Sequence, residues 1–153
     1  MQPRINPAKA APESYRAMLE FEGSVRQRLP HSLHELVKLR ASQINGCAYC
    51  VDMHAHDAKA AGETDERLFA LAAWREAPYY TEAERAALAL TEAVTRLADR
   101  VDPVPDEVWD EAARHFDDET LATLVMAIAA INSWNRIAIS TRQIAGSHRA
   151  AAR

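Results

Sequence analysis

The most reactive side chains in the chain stand close together in the segment NGCAYCVDMH, residues 45–54. Cys47 and Cys50 are the only two cysteines in the sequence, and His54 follows the second of them by four residues. A cysteine pair with this spacing can bind a metal ion, form a structural disulfide, act as a redox centre or simply pack in a core. The position of these residues in the predicted helices narrows the alternatives.

A helix over 47–61 would place the three side chains on one stripe. At about 100° per residue, Cys50 lies about 300° and His54 about 340° around the helix axis from Cys47, whereas His56 lies about 180° away. Cys47 would stand at the helix N-terminus, where unpaired N–H groups and the helix dipole stabilise a thiolate. His54, one turn after Cys50, could exchange a proton with that thiol, directly or through a water.

Glu35 is predicted to lie beside His54. The Asn-Gly pair at 45–46 is typical of a turn between two helices, and Glu35 stands ten residues before this pair and His54 eight after it. If the helices are antiparallel, these two side chains lie at nearly the same level. A carboxylate there would orient His54 as a base acting on Cys50. Glu35 also has a structural interpretation, because it has capping-box spacing with Ser32.

Zinc and a permanent disulfide fit less well than a redox pair. A structural zinc site normally has four ligands, whereas this stripe offers three and the sequence has no second CxxC. Residues 1–14 lack the apolar run of a signal peptide, and 121–131, the longest apolar stretch, is too short to span a membrane. We therefore expect a cytoplasmic protein, where stable disulfides are rare. The net charge of -4 gives no reason to expect nucleic acid as a partner.

The other polar and aromatic side chains are expected to have structural roles. Trp134 is interpreted as a core or interface residue and Arg136 as an ion-pair partner. Tyr49 lies between the cysteines and could shape access to them. Surface or packing positions are predicted for five histidines, namely His31, His34, His56, His115 and His148.

Helical periodicity dominates the sequence, which has only 4 glycines and no convincing strand-like alternation. It predicts an all-α fold of about six to seven helices in a single domain, 1–153, with the CxxC at the start of a central helix. The last helix is apolar nearly all round at its start, so it must be buried centrally or against another subunit. The predicted segments are 12–28, 32–45 behind a Ser32 cap, 47–61, 65–76 behind a Thr64 cap, 84–98 behind a Thr81–Glu84 capping box, 106–115 and 119–145.

The four positions together resemble a known active-site pattern. Glu35, eleven residues, Cys47, two residues, Cys50, three residues and His54 is similar to the pattern of the alkylhydroperoxidase AhpD-like family, within the carboxymuconolactone decarboxylase superfamily. The flanking segments HELVKLRASQINGCAYCVDMH, YYTEAERAALALTEAVTRL and INSWNRIAISTR resemble the small peroxidase-related branch. The resemblance extends over about residues 15–145.

This resemblance implies an all-helical homo-oligomer, often a trimer or hexamer, that acts as a thiol peroxidase without haem, metal or another cofactor. Cys50 would be the peroxidatic thiol, and Cys47 the resolving thiol that exchanges with an external reductant. Glu35 and His54 would form the proton relay. The implied partners are a small peroxide and a dithiol reductant or reductase protein, with neither nucleic acid nor a membrane.

Three questions stay open at the level of sequence. The helix dipole favours Cys47 as the more acidic thiol, whereas His54 favours Cys50. Better-studied members of the family have a histidine where this chain has Tyr49. Two other functions are alternatives: a lactone decarboxylase of the same superfamily that does not use the thiols, and a non-enzymatic redox sensor.

Overall fold

A computed structural model describes residues 2–98 and 100–151, without the side chains of 150 and 151. Over these residues the chain forms nine α-helices and no strand, which confirms the predicted all-α fold. All seven predicted helices are present, and two short ones near the ends, α1 and α9, were not predicted. The helices are α1 Pro7–Ala10, α2 Pro12–Arg26, α3 His31–Asn45, α4 Ala48–Ala60, α5 Asp65–Ala70, α6 Glu82–Thr95, α7 Asp106–His115, α8 Asp118–Thr141 and α9 Ser147–Ala151.

Helix α3 lies at the centre and packs against α4, α6 and α8. Ten of its fifteen residues are buried. Leu33 and Val37 belong to a core shared with α6 and α8, while Leu36 and Leu39 pack in a second core around Trp74. Because α3 is enclosed on these faces, the polar side chains that it directs towards α4 are held in fixed positions.

The turn between α3 and α4 brings the two cysteines to the start of α4. Gly46 has φ +69°, a left-handed conformation that favours glycine after a helix C-terminus. Cys47 is the N-cap of α4, and its sulfur accepts a hydrogen bond from the backbone N–H of Cys50 at 3.4 Å. The predicted position of Cys47 at a helix N-terminus is confirmed.

The predicted capping box of Ser32 and Glu35 is wrong. Helix α3 begins at His31 with Pro30 as its N-cap, so Ser32 lies inside the helix instead of before it. Its hydroxyl donates to Glu63, and Glu35 is free to turn towards α4.

The predicted box of Thr81 and Glu84 is present at the start of α6. The N–H of Glu84 donates to the Thr81 hydroxyl at 3.2 Å, and the N–H of Thr81 donates to the Glu84 carboxylate at 2.8 Å.

Two helices end four or more residues earlier than predicted. The segment 65–76 is α-helical only to Ala70 and continues as a short 3₁₀ helix, Leu71–Ala73, which turns the indole of Trp74 into the core to donate to Glu92. Helix α8 stops at Thr141 instead of 145, because Arg142 adopts φ +57° and its N–H caps the last turn.

Among the described helices, α8 alone is long and apolar enough to cross a membrane by length and composition. Half of the relevant stretch is buried, however, and the helix packs against α2, α3 and α6. This packing is that of a core helix in a soluble protein.

Candidate functional site

Glu35 and His54 meet between α3 and α4. Nδ1 of His54 lies 2.9 Å from Oε2 of Glu35, and both side chains are almost fully buried. The contact predicted from the antiparallel turn is therefore present. An ionised carboxylate can only accept a hydrogen bond, so Nδ1 must carry the proton and Nε2 is left as an acceptor.

The surroundings of Glu35 and His54 keep the carboxylate ionised and the imidazole neutral, as a general base requires. Burial lowers the pKa of His54, and the neighbouring Glu35 raises it less, so the imidazole is neutral near pH 7. Burial opposes ionisation of Glu35, but the neighbouring rings of His34 and His54 hold the pKa of this carboxyl well below its usual range. A neutral histidine held by a carboxylate is the arrangement of a general base and its orienting residue.

The two cysteines are free, buried and in contact, with their sulfur atoms 2.6 Å apart. The thiol of Cys50 lowers the pKa of Cys47 to about 7, and the N–H groups of Cys50 and Tyr49 assist. The Cys47 side chain and burial together raise the pKa of Cys50. In the reduced protein the negative charge therefore lies on Cys47 and the shared proton on Cys50, as the helix dipole predicted.

Cys50 and His54 line the same cavity, of about 170 Å³, which we call the inner cavity. Nε2 of His54 is buried and lacks a hydrogen-bond partner among the described residues. Among the described residues, Cys50 and His54 share no direct hydrogen bond. A proton would therefore pass between them through a bound molecule or a water. The other lining side chains are mostly apolar or aromatic, namely Tyr15, Leu19, Tyr49, Met53, Trp134 and Ala138, with Glu22, Lys38 and Gln143.

Cys47 faces a different cavity. It lines a space of about 240 Å³ together with Gly46, Ile139 and Arg142. Tyr49 borders both this cavity and the inner one. Tyr49, which stands between the two cysteines in the sequence, therefore also lies between the two cavities that they line.

A buried polar cluster extends the site beyond Glu35, and sequence reasoning did not find it. His34 is fully buried, with one ring nitrogen 3.4 Å from Glu35 and the other 3.4 Å from Glu22. Glu22 also forms an ion pair with the buried Lys38 at 2.5 Å. The prediction that His34 packs is confirmed, but its contact with Glu22 of α2 had no signal in the local sequence.

Asn135 of α8 is a second residue that sequence reasoning missed. The Ser42 hydroxyl gives its only proton to the carbonyl of Lys38 at 2.7 Å, so it can only accept from Nδ2 of Asn135 at 3.0 Å. Asn45 donates to Oδ1 of Asn135 at 2.8 Å. These bonds orient the amide, whose N–H groups also lower the pKa of both cysteines.

The remaining residues assigned to structural roles lie mostly outside the inner cavity. His31 and His56 are exposed, and His115 contacts Glu111. His148 packs edge-on against Tyr49, with ring centroids 5.8 Å apart.

The roles predicted for Trp134 and Arg136 of α8 stand differently in the structure. Trp134 is partly buried and packs against Tyr15, so its core interpretation is confirmed. The guanidinium of Arg136 donates to the Asn132 carbonyl at 2.9 Å, and its ion-pair role, for which the described residues offer no carboxylate partner, stays a prediction.

One group of side chains has metal-ligand geometry. Glu35, His54 and Asp57 each place a ligand atom within 4.8 Å of the others. A metal ion there would replace the hydrogen bond between Glu35 and His54. The group contains neither thiol, so it differs from the cysteine-based zinc site considered from the sequence.

Comparison with known proteins places this site in a family. The sequence model of the carboxymuconolactone decarboxylase (CMD) family matches residues 12–93, which is more than half of the chain and includes all four predicted site residues. The chain belongs to the carboxymuconolactone decarboxylase family. The uncharacterized protein YdfG of Bacillus subtilis (strain 168) is 40% identical over 148 residues, 96% of this chain and 99% of YdfG.

Two solved structures resemble the fold closely. One is an Agrobacterium tumefaciens protein of unknown function, provisionally assigned to antioxidant defence as an AhpD protein; its TM-score is 0.90 at 43% identity, over 94% of this chain and 98% of that one. The other is the debrominase Bmp8, in which one cysteine is replaced by alanine and 2,3,4-tribromopyrrole is bound; its TM-score is 0.80 at 25% identity, over 93% and 76%. The AhpD-like fold implied by the sequence motif is confirmed.

Proposed function

We propose that this protein is a thiol-dependent hydroperoxide reductase, with Cys50 as the peroxidatic thiol and Cys47 as the resolving thiol. The observation that carries the proposal is the inner cavity, which holds Cys50 together with the unpartnered Nε2 of His54. Glu35 holds the opposite ring nitrogen, so the free nitrogen would be the base for a peroxide bound in this cavity.

In the first step the sulfur of Cys50 attacks the terminal oxygen of the hydroperoxide. His54 takes the thiol proton, the O–O bond breaks, and the leaving alkoxide receives that proton from the imidazolium. The products are a sulfenic acid on Cys50 and an alcohol, or water when the substrate is hydrogen peroxide.

In the second step Cys47 attacks the sulfenic sulfur. A disulfide forms, and the hydroxide that leaves Cys50 takes up the proton that Cys47 released on ionisation and departs as water. An external dithiol then reduces the disulfide by exchange and becomes a disulfide itself, so no resident cofactor or metal is part of the scheme. The cytoplasm supplies such dithiols, and we place the protein there, as a homo-oligomer.

The decisive experiment measures peroxide consumption with an excess of dithiothreitol. Cys50→Ser is expected to abolish turnover. Cys47→Ser, assayed without dithiothreitol, is expected to consume about one equivalent of peroxide and then stop, because the sulfenic acid has no resolving thiol; dimedone labelling of Cys50 detects that acid.

Ser133→Ala, on the exposed side of α8, is the control for handling and folding, with circular dichroism on every variant. If Cys50→Ser retains full turnover, or if wild-type protein consumes no peroxide with any dithiol, the proposal is wrong.

A second candidate function is reductive dehalogenation, which the likeness to the debrominase Bmp8 favours. Cys50 thiolate would attack the halogen of a halogenated aromatic ring, and the ring carbon would take a proton from His54. The resulting sulfenyl halide would then react with Cys47 to give the same disulfide, with release of halide and a proton. The net change is replacement of the halogen by hydrogen at the cost of two thiols.

This alternative is tested by bromide release from 2,3,4-tribromopyrrole under the same reducing conditions. Bromide release that depends on Cys50 and exceeds peroxide turnover would make dehalogenation the principal activity. Peroxide turnover without bromide release would reject it.

A further inference from the structure

One charged side chain of the inner cavity takes no part in the two steps of the proposed reaction. Lys38 lines this cavity together with Cys50 and His54. It follows Glu35 by three residues in α3, so the two side chains leave the helix on the same side. The Lys38 side chain is only 8% exposed. Lysine is rarely buried to this extent, so its position calls for a physical explanation.

Glu22 of α2 holds Lys38 in place. Its Oε1 atom accepts a hydrogen bond from Nζ of Lys38, and the two side chains form an ion pair. An ammonium group has three N–H donors, and among the described residues Glu22 is the only hydrogen-bond partner of Nζ. Two donors are therefore left for a molecule bound in the inner cavity.

This ion pair is poorly suited to a purely structural role. A buried pair stabilises a fold only when its remaining polar atoms are hydrogen-bonded as well. The second oxygen of Glu22, Oε2, is buried without a hydrogen-bond partner among the described residues. The incomplete hydrogen bonding of both Glu22 and Lys38 favours a role in chemistry.

The charge of Lys38 acts on both reacting groups of the cavity. The Cys47 side chain and burial raise the pKa of Cys50, and the positive charge of Lys38 opposes them. Burial lowers the pKa of His54, and Lys38 lowers it further, by more than the negative charge of Glu22 raises it. Lys38 therefore favours a thiolate at Cys50 and a neutral imidazole at His54, which are the nucleophile and the base of the proposed reaction.

From this arrangement we propose that Lys38 is a further catalytic residue, whose ammonium group stabilises the negative charge that develops on sulfur and oxygen when Cys50 attacks a bound hydroperoxide. The inference rests on the proposed function, in which Cys50 is the nucleophile. As the S–O bond forms and the O–O bond breaks, the leaving oxygen carries negative charge until His54 returns the proton. Lys38 donates hydrogen bonds to that oxygen and keeps its own protons. Fixed donors in a cavity that excludes water are the most effective stabilisers of such charge.

Two alkylating reagents measure the charge around Cys50, in Cys47→Ser, where it is the only cysteine. Iodoacetate is an anion and iodoacetamide is neutral, and both react with the same thiolate. The ratio of their rate constants therefore reports the local charge and does not depend on the ionised fraction of the thiol. Lys38→Met is expected to lower the ratio of iodoacetate to iodoacetamide about tenfold. Glu22→Gln, which leaves Lys38 without its counter-charge, is expected to raise this ratio.

Lys59→Met is the matched control, because Lys59 also forms an ion pair, with Asp65, but is exposed and lies outside the inner cavity. It should leave the ratio unchanged, and circular dichroism is recorded on every variant. A Lys38→Met protein that reacts more slowly with both reagents at an unchanged ratio would show a structural role only and overturn the proposal. A ratio that moves in the same direction in Lys38→Met and Glu22→Gln would also overturn it.

Hydrogen peroxide turnover tests the catalytic step itself. Lys38→Met is expected to lower kcat/KM about 100-fold, and Lys38→Arg, which keeps the charge and the donors, to restore much of this loss. Normal turnover in Lys38→Met overturns the catalytic role. If the wild-type protein consumes no peroxide but the alkylation ratio depends on Lys38 as expected, the proposed function fails and the role of Lys38 at the Cys50 thiolate stands.

Discussion

Two buried glutamates in this protein have similar burial but very different partners. Glu92 of α6 accepts hydrogen bonds from one indole and three guanidinium groups, those of Trp74, Arg40, Arg75 and Arg96, at 2.7 to 3.2 Å. Glu35 of α3 is surrounded by histidines: His54 hydrogen-bonds to it at 2.9 Å, and a ring nitrogen of His34 lies 3.4 Å away. Both carboxylates are ionised, because their partners overcome the effect of burial.

The difference lies in whether the partners can change their charge. Arginine stays protonated at all physiological pH values, so the Glu92 cluster has one stable state, as a structural ion cluster requires. Histidine gains and loses a proton near neutral pH, and nitrogens of His34 and His54 are buried without hydrogen-bond partners. Unpaired buried nitrogens cost stability, which is a reason to assign the Glu35 cluster to chemistry and the Glu92 cluster to the fold.

The largest effect is expected from Glu92→Gln. This change leaves the buried guanidinium of Arg40 without a carboxylate, and removing one partner of a buried ion pair costs about 3 kcal/mol. This loss of stability is at the lower end of the range for buried ion pairs, because Arg75 and Arg96 are partly exposed and can be solvated. Urea unfolding followed by circular dichroism measures it. A loss of stability below about 1 kcal/mol would show that the cluster is not structural.

The same change at the other glutamate, Glu35→Gln, is expected to act on rate instead of stability. His54 would lose the carboxylate that orients it, and peroxide kcat/KM should fall roughly 100-fold. The cost in unfolding free energy should be smaller than for Glu92→Gln, because the neutral His54 needs no counter-charge. Steady-state kinetics and urea unfolding are measured on both variants. An equal loss of stability in Glu35→Gln and Glu92→Gln would contradict the assignment of Glu35 to chemistry and Glu92 to the fold.

The sequence was sufficient to predict the contact between Glu35 and His54, because a helix period and one glycine turn determine which side chains face each other. It was insufficient at the start of α3, where Pro30 caps the helix two residues before the expected cap, Ser32. The contacts of Asn135 were not predictable, because its hydrogen-bond partner Ser42 lies 93 residues away on another helix. Local patterns therefore located the reactive groups, whereas the residues that tune them depend on tertiary packing.

Asn135 has both a structural and a chemical role. It hydrogen-bonds with Ser42 and Asn45, and it lowers the pKa of both cysteine thiols. Asn135→Ala should raise the pKa of Cys47 from about 7 towards its ordinary value and slow its alkylation by iodoacetamide near neutral pH several-fold. Asn132→Ala is the matched control, because Asn132 is buried in the same amide network, where it accepts from Asn45 and donates to Thr95. Both variants should lose about 1 to 2 kcal/mol of stability. A Cys47 pKa that shifts equally in both would mean that Asn135 is structural only.

The smallest expected effects are pH dependences of stability, and they distinguish His54 from Glu92 by pH range. His54 has a lowered pKa in the folded state, so the folded protein binds fewer protons than the unfolded chain below the ordinary value of 6.5, and stability falls as the pH drops through this range. Glu92 has its pKa lowered from 4.5 to about 2, so its contribution is complete above 4.5 and is lost only as the pH falls towards 2. His54→Gln should therefore flatten the upper part of the stability curve, and Glu92→Gln the lower part. Urea unfolding at a series of pH values measures both slopes, and a curve in which the two variants flatten the same range would contradict the assignment of chemistry to one cluster and fold to the other.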